Sequence, residues 1–303
     1  MEFLYFLERI RVPGLNEFMS VITYLGSETA FLIIALTMFW CIDKRRGYYI
    51  LSVGFIGTII NQFMKLTFRI PRPFEVDPNF TILESARADA TGFSFPSGHT
   101  QSSVGTFGGI AYTTAKRTTK ILMIAIAILV PFSRMYVGVH TPQDVLVAAA
   151  IAIALILVVK PVVYKHKGKF IPVMLGFMTL LAIAYLCYVT LIPAPTDVTA
   201  ERWNSGIESA YTLFGALIGL LFVYAIDEKW LNFPTKAMWW AQIIKVVLGL
   251  GVVLLVKSGL KPILNALCGE YLGRSVRYFL VVIFAGIIWP LTFRLFEKSC
   301  CKE

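Results

Sequence analysis

The sequence predicts an all-α fold, a polytopic membrane helix bundle of about nine spans, and three observations carry that prediction. Only 15% of the 303 residues are charged and 57% are hydrophobic, where a soluble domain has about 25% charged. Mean hydropathy is +0.72 over the whole chain, so the apolar residues are not gathered in a single anchor. The basic residues fall in short turns between apolar runs of about 20 residues, the length a helix needs to cross hydrocarbon. No stretch is polar enough to form a separate soluble domain.

Taken in order, residues 1–22 interleave apolar and charged positions at near-helical spacing (Phe3, Leu4, Leu7, Ile10), as an amphipathic helix lying in the membrane interface would. Spans are expected near 24–42, 48–66, 98–115, 120–137, 142–160, 171–192, 207–226, 238–257 and 276–296. Ser27 and Glu28 interrupt the first of them. Glu2, Glu8, Arg9 and Arg11 stand where a cleaved signal peptide would have a basic start and an apolar core, so none is expected. The expected division is an interfacial segment 1–22, a core 23–195 and a further transmembrane region 196–303.

The formal charge of +10 could mark nucleic acid, anionic lipid or an acidic substrate. Nucleic acid is excluded as a partner because the basic residues form no stripe. Instead they obey the positive-inside pattern. If the first span runs inward, the inner turns carry Lys44-Arg45-Arg46, Lys116-Arg117-Lys120, Lys160 to Lys169, Lys229 and Lys236, and then Lys298 and Lys302. The outer segments are less basic, yet 67–97 and its flanks hold Lys65, Arg69, Arg72 and Arg87. Basic residues on the wrong side of that rule call for a function. The five cysteines show no CxxC pairing, which gives no support to a disulfide framework or a zinc site. Cys300 and Cys301, beside the last span, are read as plain terminal cysteines, with acylation the alternative.

Three segments that the span order puts on the same outer face carry the chemistry. The first is Lys65-Leu-Thr-Phe-Arg-Ile-Pro-Arg72-Pro73, where a helix surfaces and prolines end it. The second is Pro96-Ser97-Gly98-His99, directly before an apolar helix. The third is Ser133-Arg134, then five residues to His140, then Thr-Pro-Gln-Asp144. Lys65, Arg72 and Arg134 are cationic donors suited to phosphate oxygens. Ser97 and Gly98 open a helix, where free N–H groups and the dipole favour an anion. His99 and His140 bring two imidazoles, the side chain best suited to proton and nucleophile work near neutral pH. The third histidine, His166, sits in a basic inner turn and is read as solvated.

Each piece also has a plain structural reading. Lys65 and Arg69 could be residues snorkelling from a span end. Ser97 could be a simple N-cap. Thr141-Pro-Gln-Asp144 reads as a capping box with proline at the first helical position, so Asp144 could cap a helix, orient His140, or do both with its two oxygens.

In order, spacing and sidedness the three segments together resemble the signature of the type 2 phosphatidic acid phosphatase superfamily, over about residues 48–160. That group also includes bacterial acid phosphatases, vanadium haloperoxidases and glucose-6-phosphatase. The resemblance implies a metal-independent phosphatase without a cofactor. By it, His140 looks like the nucleophile that forms a phosphohistidine, Asp144 its orienting partner, and His99 the general acid and then base. Lys65, Arg72, Arg134, Ser97 and Gly98 look like the phosphate cradle. The motifs contain no acidic cluster of the kind magnesium or zinc requires.

The superfamily core is usually about six helices, so roughly three extra spans, 207–296, are a departure. Glucose-6-phosphatase shares the nine-span topology, while the N-terminus and the Trp40-Cys-Ile-Asp-Lys44 turn look more like bacterial membrane members. The expected substrate is therefore a lipid phosphate or a polyprenyl diphosphate, met from the bilayer at the outer face of a bacterial plasma membrane. The polar segment 74–95, with Glu75, Asp77, Glu84, Arg87 and Asp89, is long enough to form a lid or entry rim. The alternatives are a soluble sugar phosphate, phosphotransfer to another lipid, and a non-catalytic transporter or scaffold suggested by Glu208 and Lys245 near apolar runs. A haloperoxidase fits least, since those relatives are soluble. Gly105, Gly108, Gly109, Gly215 and Gly219 permit close helix contacts and leave the oligomeric state open.

Overall fold

A computed structural model describes residues 1–87 and 90–297; Asp89, Lys298, Cys300, Cys301, Lys302 and the side chain of His166 lie outside the described residues. Every regular element of the described chain is a helix, with no strand among the described residues.

Two short helices begin it. α1 (Glu2–Arg9) buries Leu4 and Leu7, and α2 (Pro13–Tyr24) starts with proline at its first turn, where a missing N–H costs nothing. The expected single helix over 1–22 is thus two helices, broken at Arg11-Val12 ahead of Pro13. α3 (Glu28–Ile42) meets α2 at a 54° bend and ends in a π turn, Met38–Ile42. Next come α4 (Lys44–Phe68), the short α5 (Pro73–Val76), and a loop reaching the start of the next helix at Gly98. That helix, α6, runs from Gly98–Ser103 through a π turn at Val104–Gly108 to Gly109–Thr113. α7 (Arg117–Tyr136), α8 (Pro142–Tyr164), α9 (Ile171–Leu191), α10 (Ala200–Ile226), α11 (Trp239–Cys268) and α12 (Glu270–Ile283, extended by further turns to Leu295) complete the chain.

Among the described residues seven helices are long and apolar enough to cross a membrane, or eight if α2 and α3 count as one broken span. The ninth expected span is α6. Ending at Thr113, it is about 24 Å long at 1.5 Å per residue, short of the hydrocarbon core of about 30 Å. The others read as spans in composition and in exposure. On α8, Leu146, Ile153, Leu157 and Val158 are exposed, while Val145, Ala148, Ala152, Ile156 and Val159 are buried at helical spacing. One face meets lipid and the other the bundle, so this is a multi-pass integral membrane protein.

The chain divides into two compact units, each made of separated segments. One comprises 1–32, 53–160 and 194–205; the other comprises 33–52, 161–193 and 206–303. In the first, a cluster of Leu4, Met19, Phe80, Ile82, Tyr136, Val137 and Val139 packs α1 and α2 against the loop after α5 and the turn after α7. Arg11 reinforces it, donating to the carbonyls of Tyr136 (2.9 Å) and Thr81 (2.9 Å). This packing holds the turn that carries His140.

In the second unit α11 and α12 form an antiparallel pair around Gly269, and small residues set the approach of helices. Glu208 pairs with Arg274 at 2.6 Å. Lys245 is fully buried, donates to the Pro234 carbonyl at 3.4 Å and lies 4.4 Å from the Phe293 ring centroid. Both polar groups of the apolar runs are thus engaged within their own unit. At Gly215 an added Cβ would run into the backbone carbonyl of Ser275, whereas at Gly251 it would meet nothing within 4 Å. Gly215→Ala is therefore expected to lower the thermal midpoint of the detergent-solubilised protein, by about 1–3 kcal/mol of overpacking. Gly251→Ala should leave it unchanged or raise it, through better helix propensity. Equal midpoints for the two variants would contradict this packing.

Candidate active site

The site lies in the first unit and is assembled by backbone turns before any side chain acts. α4 ends at Arg69, whose φ of 53° is left-handed, the usual way to stop a helix and turn the chain. The turn brings back Arg72, which is 2% exposed. Its guanidinium donates to the carbonyls of Gly92 (3.2 Å), Thr91 (2.8 Å) and Val139 (3.0 Å). One cation thus binds the α4 end, the loop before α6 and the turn before His140. Lys65, one helical turn before that end, donates to the Phe93 carbonyl.

The second motif starts α6. Ser97 is its N-cap, buried, with Oγ accepting from the Thr100 N–H (3.4 Å) and hydroxyl (3.0 Å). Asn61 on α4 donates to the Pro96 carbonyl at 3.2 Å and fixes the approach. Gly98 has open space beside it, since an added Cβ would meet only Asn61 Oδ1 at 3.8 Å. What glycine preserves here is room for a ligand beside first-turn N–H groups that have no intrahelical acceptor. His99 follows, its Nε2 buried with no hydrogen-bond partner among the described residues.

The third motif spans the α7–α8 turn. Arg134 is buried in the last turn of α7 and donates to Thr23 Oγ1 of α2 at 2.7 Å. Gly138 has φ 90°, and a side chain there would strike Arg11 and the Thr81 carbonyl, so the turn requires glycine. His140, 2% exposed, directs Nδ1 at Asp144 Oδ2, 3.5 Å away. The same oxygen accepts from the Thr141 N–H (2.7 Å) and from the Ser94 hydroxyl (2.6 Å). Asp144 therefore both caps α8 and faces His140, the two roles open from sequence. Its carbonyl also accepts the Ser97 N–H at 3.1 Å, which ties the second motif to the third.

Burial, and after it the charges of Arg72, Arg134 and Lys65, hold His140 well below the ordinary imidazole pKa. The His140 imidazole is thus neutral beside Asp144 rather than one half of an ion pair. With Nδ1 turned to the acceptor, the Nε2 lone pair is the nucleophilic one. His140, His99, Asp144, Lys65, Arg72, Arg134, Ser97 and Gly98 all fall within this one unit, and the charges of Arg72, Arg134, Lys65 and His99 all act on His140.

Several residues of the site carry no sequence signal of their own. Ser94 bridges Asp144 and His140, its Oγ 3.4 Å from Nδ1. Thr23 and Asn61 hold one motif each. Segment 194–205 is clipped over the first motif by ion pairs from Asp197 to Arg69 and from Arg202 to Glu75. Glu75 also accepts the Arg72 N–H at 2.8 Å, and Arg202 lies 4.9 Å from the Phe93 ring centroid. Only the hydroxyl of Ser94, two residues before Pro96, could have hinted at its place.

Fold and site together define a polytopic membrane protein in which one unit gathers a histidine–aspartate couple, a second histidine and three cations. The family comparisons agree. The family described as PAP2 superfamily matches residues 45–168, and the one described as PAP2 superfamily phosphatase, transmembrane extension, matches 211–300. Phosphatidylglycerophosphatase B of Bacillus subtilis (strain 168) is 32% identical over 164 residues, 50% of this chain and 76% of that protein. Undecaprenyl-diphosphatase BcrC of the same organism is 32% identical over 46% of this chain and 70% of its own. The crystal structure of a transmembrane PAP2 type phosphatidylglycerolphosphate phosphatase from Bacillus subtilis is 30% identical and covers 55% of this chain and 85% of its own, at a TM-score of 0.45. The chain belongs to the PAP2 superfamily, the group its motifs resemble. Within that superfamily it is an integral membrane phosphatase, a phosphoric monoester hydrolase.

Two outcomes are expected from this geometry. Ser94→Ala removes a hydrogen bond to a buried carboxylate and one restraint on the His140 ring, and should lower kcat about tenfold to a hundredfold with little change in KM. A KM effect alone would assign Ser94 to binding. Because its folded pKa is depressed, His140 should stay neutral as pH falls through about 6.5, the ordinary imidazole value. Nitrogen-15 spectra of histidine-labelled protein at pH 6 test this: an imidazolium signal for His140 would overturn it, and its assignment follows from loss of the signal in His140→Gln.

Proposed function

We propose that the protein hydrolyses the terminal phosphate of a lipid phosphate or polyprenyl diphosphate through a phosphohistidine on His140. The observation that carries the proposal is the buried couple of His140 Nδ1 with Asp144, which leaves Nε2 as the attacking atom. In the first step Nε2 bonds to phosphorus as the bond to the ester oxygen of a monophosphate, or to the bridging oxygen of a diphosphate, breaks, and His99 delivers a proton to that leaving oxygen. In the second step His99 takes a proton from water, whose oxygen attacks the phosphohistidine and releases inorganic phosphate. Lys65, Arg134, the two uncommitted N–H groups of Arg72 and the N–H groups at Ser97 and Gly98 stabilise the equatorial oxygens. No step calls on a metal, since the donors are cations and amides. Asp144 acts through His140 as its positioning residue.

The substrate class is supported by the membrane setting and by relatives whose names specify phosphatidylglycerophosphate and undecaprenyl diphosphate. On this reading residues 23–195 are the catalytic core, 196–303 an accessory transmembrane region and 1–22 an interfacial segment. The distribution of basic turns supports a site on the outer face of a bacterial plasma membrane.

The test is phosphate release by the purified protein in detergent with EDTA present, from phosphatidic acid, phosphatidylglycerol phosphate, undecaprenyl diphosphate and glucose 6-phosphate. Turnover is expected on the lipids and should fall by at least about a thousandfold in His140→Ala, as when a nucleophile is removed. Glucose 6-phosphate cleaved as fast as the lipids would overturn the lipid assignment. Turnover abolished by EDTA, or unchanged in His140→Ala, would overturn the mechanism. Label passing from donor to a second lipid instead of to water would make it a phosphotransferase.

A further inference from the structure

The second compact unit contains a site that the phosphatase chemistry does not use. A cavity of about 550 Å³ opens where the α3–α4 turn meets the irregular stretch after α10, both within that unit. Its lining includes Lys44, Arg45 and Lys236, against a single carboxylate, Asp43, with Phe233 and Pro234 as an apolar floor. Asp43 is already engaged as a helix cap, its Oδ1 accepting the Arg46 N–H at 2.9 Å. Lys44 is engaged too: it donates to buried Asp227 at 2.8 Å and sits 3.9 Å from the Phe233 ring centroid. These bonds build the site, because Asp227 also accepts the Asn232 N–H on its carbonyl (2.8 Å) and holds the left-handed turn at Asn232. Arg45 and Lys236 are exposed, and neither has a carboxylate partner among the described residues. The cavity is thus a fixed basic concavity with two cations left over for an anion.

Its surroundings identify the kind of anion. Trp230 (66% exposed) and Trp239 (74% exposed) flank the irregular stretch, one before it and one after. Exposed tryptophans at the ends of spanning helices sit at headgroup level. The volume falls within the range of small-ligand pockets, enough for a phosphate headgroup but not for acyl chains. Those would run along the exposed apolar face of α11, where Ile243, Val247, Leu254 and Leu255 point outward.

We infer that this cavity binds the phosphate headgroup of an anionic membrane phospholipid, with Arg45 and Lys236 as its ligands, as a structural lipid rather than a substrate. Basic pockets at the cytoplasmic ends of spanning helices suit such headgroups, and Lys44-Arg45-Arg46 and Lys236 belong to the basic turns expected on the inner side. The inference does not depend on the substrate proposed for the catalytic site.

The experiment compares the full-length protein with Arg45→Gln, Lys236→Gln and the double variant. Retained lipid is counted by native mass spectrometry after incubation with phosphatidylglycerol, phosphatidylcholine or inorganic phosphate at fixed ionic strength. Wild type should retain phosphatidylglycerol over phosphatidylcholine, each single variant should bind it about fivefold more weakly, and thermal protection by the lipid should be lost in the double variant. Both side chains are exposed, so the variants should fold and keep their phosphatase turnover. Undiminished phosphatidylglycerol retention in the double variant would overturn the site. Protection by inorganic phosphate but not by phosphatidylglycerol would overturn the lipid as its occupant.

Discussion

The carboxylate of Asp144 is the group on which the rest of the site depends. One oxygen accepts from the Ser94 hydroxyl and the Thr141 N–H and faces Nδ1 of His140, and the residue's own carbonyl accepts the N–H of Ser97. Four residues from two stretches of chain, the loop before α6 and the turn before α8, converge on a single buried residue. An ionised carboxylate at this depth would be costly alone, but its hydrogen bonds and the neighbouring cations offset the desolvation. The same bonds that satisfy it therefore set the helix start, the ring orientation and the position of the second motif.

Arg72 plays the matching part for the cations. Its three bonds to backbone carbonyls cross-link the end of α4, the loop before α6 and the residue preceding His140. It is a brace, and its charge is held in place by these bonds. Arg134, held by Thr23, is restrained in the same way. A site made mostly of loops and helix ends is thereby tied together by charged side chains bonded across it.

The second unit follows a different constraint. Its helices turn large aliphatic side chains outward, and several of its polar groups are paired internally: Glu208 on Arg274, Lys44 on Asp227, and Trp40 Nε1 on the Ala285 carbonyl at 2.8 Å. In hydrocarbon an unpaired polar group has no water to turn to. Arg45 and Lys236, which have no carboxylate partner among the described residues, lie at the surface, where the headgroup proposed above would supply the counter-charge.

The sequence by itself determined the membrane class, a run of spans close to that of the structure, and the three motifs that the fold brings into one unit. Apolar runs about 20 residues long and Lys, Arg and His at fixed short spacings are local signals that survive without a structure. It did not show that residues 1–22 form two helices or that α6 is short, because a proline start and a helix end set by Thr114 depend on neighbours. Nor could it find Ser94, Thr23, Asn61 or the Arg202–Glu75 clip, whose residue types are common and whose partners lie 35 to 127 positions away. Only the tertiary structure decided that Asp144 both caps α8 and faces His140, since a carboxylate's second role is chosen by whatever the fold places within about 3.5 Å of its free lone pairs.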